Sequence, residues 1–283
     1  MTRVAWGRAA LCAAFGWAGG CAPSSPQRCN GSEALCARPL DAVVFPATHN
    51  SMSNEAEGWG LPNQPFGLLR QLEDGVRGML IDTYEVDGAV VLCHSVCALG
   101  STDLIAALGE IKGFLDTNPG EVLVFVVQDG ASIEATEAAF AAAGLTERLI
   151  TAPAPGAAWP TLGSLVDRGA QVLLTRESGG DGPAWYRSFY EVGFDTPYSF
   201  ERPEDFTCDV LRGRARNDLF LVNHWLSTPF PTREGAAEVN AADVLRARVD
   251  ACEAERGRQV NLVAVDHYDL GDLFAVVDAL NAR

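Results

Sequence analysis

Apolar runs too short to be helices recur along the chain, separated by longer stretches whose apolar residues return at helical spacing. The runs Val43–Ala47, Gly78–Tyr84, Val90–Cys93, Val122–Gln128, Gln171–Arg176, Leu219–Asn223 and Leu262–Asp266 predict strands. Segments 101–116, 133–143, 160–168, 241–255 and 271–281 predict helices, and Asp116-Thr117-Asn118-Pro119-Gly120 is a stop signal after the first of them. Nearly continuous Val, Ile and Leu runs belong to strands buried on both faces, hence to parallel strands covered by helices. The pattern predicts an α/β fold, and the 283-residue length favours a closed (β/α)8 barrel in a single domain over an open sheet. Residues 178–217 are rich in Gly, Pro and aromatics. They predict a long active-site loop with one irregular strand near Pro197–Phe200.

The formal net charge of -16 argues against nucleic acid as a partner. It also disfavours adsorption to anionic lipid, so any membrane attachment is expected from a covalent anchor or a local basic pocket. Residues 1–21 read as a secretory leader, with Arg3 and Arg8 before the short apolar stretch Ala9–Ala18. Ala18-Gly19-Gly20-Cys21 is similar to a bacterial lipobox, which predicts an exported lipoprotein anchored through Cys21; ordinary signal cleavage near this point is the alternative. A polar linker, 22–28, then leads into a domain spanning 29–283, expected to be a monomer.

Export favours disulfides over free thiols. Beyond Cys12 and Cys21, sequence alone permits many pairings. Proximity points to Cys29 with Cys36 and to Cys93 with Cys97, leaving Cys208 with Cys252. A zinc site is the competing use of these residues, but it lacks a second close cysteine pair. A Cys93–Cys97 bridge would fix the loop that carries His94.

All four histidines follow apolar runs: His49, His94, His224 and His267. A parallel barrel gathers its chemistry at the C-terminal ends of its strands, so this placement predicts one shared mouth. Asp82 ends a further apolar run there. Two imidazoles and a carboxylate are what an acid/base phosphodiesterase requires.

The residues Ala47-Thr48-His49-Asn50-Ser51, Gly75-Val76-Arg77-Gly78-Met79-Leu80-Ile81-Asp82-Thr83-Tyr84 and Leu92-Cys93-His94-Ser95 occur in that order. Pro197-Tyr198-Ser199-Phe200, Leu221-Val222-Asn223-His224 and Ala264-Val265-Asp266 with Tyr268 follow. Together they resemble the X domain of phosphatidylinositol-specific phospholipase C, above all its secreted single-domain forms, over roughly residues 29–282. The resemblance implies a distorted TIM barrel that cleaves an inositol-linked phosphodiester, the neighbouring ring hydroxyl attacking phosphorus. It implies His49 as general base, His94 as general acid and Asp266 as the carboxylate that orients His49. Arg176, Asn223 and Tyr268 fall at substrate-binding positions, the substrate being a phosphoinositide or a glycosylated inositol lipid.

The same resemblance leaves the source of positive charge open. Tyr84 stands where metal-independent relatives carry arginine, while Leu80 and Gln128 replace two glutamates of calcium-dependent ones. Asn50, Asp82 and Gln128 remain as a reduced calcium set, with Arg176 as an alternative source of charge. Arg77 precedes its strand and is expected at the opposite end of the barrel, in a structural role. Two other readings compete: a glycerophosphodiester phosphodiesterase, whose His-Arg-Gly and Glu-x-Asp motifs are missing, and a silent lipid- or carbohydrate-binding barrel.

Overall fold

The computed structural model describes residues 27–180, 182–227 and 230–283. The leader and the Cys21 anchor site therefore lie outside the described residues. Among the described residues ten strands are formed: β1 (Phe45–Thr48), β2 (Gly78–Val86), β3 (Ala89–Leu92), β4 (Thr102–Asp103), β5 (Leu123–Gly130), β6 (Val172–Arg176), β7 (Gly193–Asp195), β8 (Arg212–Gly213), β9 (Leu219–His224) and β10 (Leu262–Val265). Seven of them run parallel in the order β6-β5-β2-β1-β10-β9-β7. Between β6 and β7 no ladder closes the ring among the described residues; a single bridge joins Arg176 to Ser188. The barrel is thus curled and distorted, with its irregularity at this seam.

Side chains alternate along each parallel strand between two cores, as the period of two requires. Met79, Ile81, Phe125, Val127, Val222 and Val263 pack outward with Leu108, Ile111, Phe140, Val249 and Val276 of the surrounding helices. Phe45, Ala47, Val124, Val126, Leu221 and Ala264 form the inner core together with Leu40 and Leu162. Gly78 lets β2 close on β1, because a Cβ there would lie 2.6 Å from that of Ala47. The helix Leu104–Thr117 starts where Asp103 accepts from the Ala106 N–H and ends at Asn118, whose side chain donates to Phe114 O.

Two sequence expectations are corrected. The run at Val90–Cys93 is not a parallel barrel strand: β3 folds back antiparallel on β2, so His94 follows a hairpin at the mouth. Pro197–Phe200 forms no strand, since Pro197 has no N–H for a ladder. The order within 178–217 comes instead from β7 and β8, paired antiparallel. The three disulfides pair as proximity indicated, with Cα–Cα distances of 5.0, 5.0 and 5.1 Å.

Candidate active site

Strand parity decides which residues meet at the C-terminal mouth. Continuing the inner positions by two takes Ala47 to His49, Leu80 to Asp82, Val126 to Gln128, Leu221 to Asn223 and Ala264 to Asp266. His49, Asp82, Gln128 and Asn223 line a cavity of about 180 Å³ together with Asn50, His94, Glu177, Tyr198, Arg212 and Trp225.

His49 is held on several sides. Its Nδ1 lies 3.0 Å from Oδ1 of the buried Asp266, which makes Nδ1 the donor and leaves the Nε2 lone pair free. Its ring stacks on Trp225, centroids 3.7 Å apart and planes 5° from parallel. Its carbonyl accepts from Gln64 Nε2 at 2.7 Å. Asn50, in the left-handed region at φ 43°, turns its amide toward His94, whose Nε2 and Nδ1 lie 3.3 and 3.4 Å from Asn50 Nδ2. His94 is exposed at the rim of the cavity; partial desolvation lowers its pKa and the nearby His49 lowers it further, against a smaller opposing pull from Asp266. The Cys93–Cys97 disulfide closes the short loop carrying His94.

Among the described residues no hydrogen bond or ion pair reaches the Asp82 carboxylate, although it is only 6% exposed. Burial raises its pKa to about 7, with His49 opposing and Glu177 adding to the rise. Across the cavity Arg212 is the cation. Its Nε and Nη2 donate to Asp195 Oδ2 at 3.0 and 2.6 Å, and Nη1 pairs with Glu177 at 2.9 Å. The guanidinium also lies 5.2 Å from the Tyr198 ring centroid. Asn223 donates to Thr196 O at 2.6 Å and lies beside the same Asp195 carboxylate.

Asn50, Asp82 and Gln128 come together as the sequence predicted, yet they make a poor calcium site. They offer one carboxylate and two amide oxygens, while calcium takes about six to eight oxygen ligands. The Gln128 amide already donates to Tyr84 Oη at 3.1 Å. Among the described residues no three His, Cys, Asp or Glu side chains are grouped to hold a metal.

Other expected site residues lie elsewhere. Arg176 follows Val172 and Leu174 on the outward parity of β6, and its guanidinium donates to the carbonyls of Tyr186, Gly179 and Gly180 at 3.2, 3.4 and 2.9 Å. Tyr268 is buried and donates to Asp74 at 2.7 Å, away from the cavity. His224 points outward, its Nε2 donating to Val239 O at 2.8 Å, and burial drives its pKa down to about 3. His267 is buried as well. The shared mouth therefore holds two histidines rather than four. Sequence reasoning missed Arg212, Glu177, Trp225 and Asn63. For Trp225 and Glu177 the signal was available, since Glu177 directly follows the predicted strand Gln171–Arg176 and Trp225 lies two positions beyond Asn223, on its inward parity.

Comparison with known proteins shows the family and the fold. The family model described as PI-PLC X 1 matches residues 35–281. A PI-PLC X domain-containing protein 1 of Arthroderma benhamiae is 28% identical, covering 89% of this chain and 89% of the relative. An uncharacterized secreted protein of the same fungus is 27% identical over 92% of this chain, which spans 64% of that relative's length. A PI-PLC X domain-containing protein of Arabidopsis thaliana is 27% identical, and this chain spans 62% of it. Among solved structures, a phosphatidylinositol-specific phospholipase C of Staphylococcus aureus, from work on modulation of its membrane binding, superposes with a TM-score of 0.57 at 14% identity, over 88% of this chain and 94% of that one. At that identity the likeness establishes the barrel fold.

Proposed function

From its membership of the PI-PLC X family, matched over residues 35–281, we propose that this chain is a phosphodiesterase cleaving an inositol-linked phosphodiester by paired histidine acid/base catalysis. The observation that carries this reading is the Asp266-bound imidazole of His49 facing the same cavity as His94 and Arg212. His49 Nε2 takes the proton of the ring hydroxyl beside the phosphate, and Asp266 stabilises the imidazolium. The hydroxyl oxygen bonds to phosphorus, the bond to the leaving oxygen breaks, and His94 protonates that oxygen. Arg212 keeps two N–H groups beyond those given to Asp195 and Glu177 and offsets the charge that grows on the phosphorane. The mechanism needs no calcium, in place of the reduced calcium set expected from sequence.

A lipid substrate is supported by the rim. Leu61, Val96, Leu99 and Leu211 are exposed, and Tyr198 is exposed where it enters the cavity. Val96 and Leu99 sit on the His94 side, Leu211 adjoins Arg212, and Gly60 N–H donates to Leu99 O at 2.6 Å, drawing the Leu61 loop to the same edge. Three disulfides and a relative named as secreted support an extracellular protein. Attachment through a lipid on Cys21 belongs to the same proposal.

Phosphorus NMR of the protein with phosphatidylinositol micelles tests the reading. A cyclic inositol phosphate resonance that persists in chelator supports it. Cleavage only with added calcium overturns the role given to Arg212, and silence from folded protein in both samples favours the binding-barrel alternative.

A further inference from the structure

We propose that Asn63 is a positioning residue that couples the two imidazoles of the site, an inference that rests on the acid/base reading above. Asn63 lies on the loop after β1 and is 2% exposed. Its Nδ2 donates to Asp266 Oδ1 at 3.0 Å, the same oxygen that receives His49 Nδ1, and stands 3.4 Å from that nitrogen. Its Oδ1 accepts from Asn50 Nδ2 at 3.3 Å. The same Asn50 nitrogen reaches the His94 ring. One side chain thereby joins the carboxylate that orients His49 to the amide that faces His94.

The chemistry of each link fixes its direction. A carboxylate oxygen only accepts, so the atom of Asn63 facing Asp266 is its NH2, and the carbonyl is left for Asn50. Asn50 then spends one hydrogen on Asn63 and has the other for His94, whose facing ring nitrogen is a lone pair in the neutral resting ring and loses this contact when His94 is protonated to act as acid. Two donors on one Asp266 oxygen fix the carboxylate that orients the His49 ring. The backbone of Asn63 is tied separately: its N–H donates to Ser53 O at 3.1 Å and its carbonyl accepts from His267 N–H at 2.8 Å. The loop path is thus kept by bonds that a side-chain substitution leaves in place.

Asn63→Asp and Asn63→Leu separate the two halves of the bridge. Asn63→Asp keeps an acceptor for Asn50 and replaces the amide donor with a carboxyl set against the buried Asp266, a pair that shares one proton instead of ionising twice near neutral pH. Asn63→Leu removes both links. Imidazole nitrogen NMR of the resting protein across the acid to alkaline range reads both rings without any substrate. Wild type should show His49 as a single tautomer protonated at Nδ1. In Asn63→Asp the His94 tautomer should be unchanged while the His49 signals gain an added step as the paired carboxyls ionise; in Asn63→Leu His49 should keep its proton on Nδ1 opposite Asp266 but with shifted ring signals, while His94 should become a tautomer mixture. Unchanged His49 and His94 signals in folded Asn63→Leu would overturn the proposal. Parallel phosphodiester cleavage should fall roughly ten- to hundredfold in kcat for Asn63→Leu, with KM little changed. Because the ring signals are read without turnover, they test the coupling even if no inositol lipid is cleaved, and absent cleavage by wild type counts against the functional reading alone.

Discussion

The two ends of this barrel teach opposite lessons about what marks a site. The N-terminal end holds the larger cavity, about 680 Å³, lined by Asp74, Arg77, Glu121 and Phe274. The mouth that carries the proposed chemistry encloses about 180 Å³. At the large cavity the cation is paired as fully as Arg212 is at the mouth. Arg77 Nε pairs with Glu121 at 2.6 Å, Nη1 donates to Leu72 O and Val76 O at 2.7 and 2.8 Å, and the guanidinium lies over Phe114. At the mouth, desolvation raises the pKa values of Asp82 and Glu177 and lowers that of His94. Three shifted groups facing one cavity, not volume, mark the end that carries the proposed chemistry.

Substitutions at the two arginines should break this contrast if it is mistaken. At the mouth, Arg212→Met should lower kcat/KM by about a hundredfold or more, the scale of losing a donor to transition-state charge. Arg212→Lys, which keeps charge beside Asp195 but loses the fork, should lose about tenfold. Steady-state assays with near-ultraviolet circular dichroism as a folding check measure both, and wild-type rates in folded Arg212→Met would remove Arg212 from the mechanism.

The pH dependence gives the next effect in size. His94 must be protonated to act as acid, and its pKa is lowered from 6.5. The protonated fraction is therefore lost as pH rises through a value below 6.5, and kcat/KM should fall roughly tenfold per pH unit above it. A profile still rising through pH 8 would contradict the assignment.

The smallest effect on rate belongs to the other end. Arg77→Met should leave kcat/KM within about twofold of wild type, yet cost about 3 kcal/mol of stability because it strands the largely buried Glu121. Urea unfolding beside an activity assay checks both halves of that expectation.

Much of this was legible in the chain because a strand is a ruler. His49, Asp82, Gln128, Asn223 and Asp266 each lie two positions beyond an inner-core residue, so ending an apolar run already indicated the mouth. The same ruler, applied by parity, separates Arg176 and His224 from their inward neighbours Thr175 and Asn223. The reading by strand ends alone placed all four histidines in the mouth. Arg212 was hidden for another reason. Its strand is two residues long, Arg212–Gly213, and is held by pairing with β7, so no periodicity announced it. Asn63 sits in a loop whose position is set by backbone bonds to Ser53 and His267, contacts that only the folded chain reveals.

The central claim is that His49 and His94 divide the work of base and acid. The most direct measurement compares His49→Ala and His94→Ala on an alkyl inositol phosphodiester and on an aryl one, whose leaving group departs without a proton. The account predicts that both variants lose roughly a thousandfold on the alkyl substrate. On the aryl substrate His94→Ala should recover most of its rate while His49→Ala stays impaired. Equal losses on the aryl substrate, or recovery by His49→Ala instead, would contradict it.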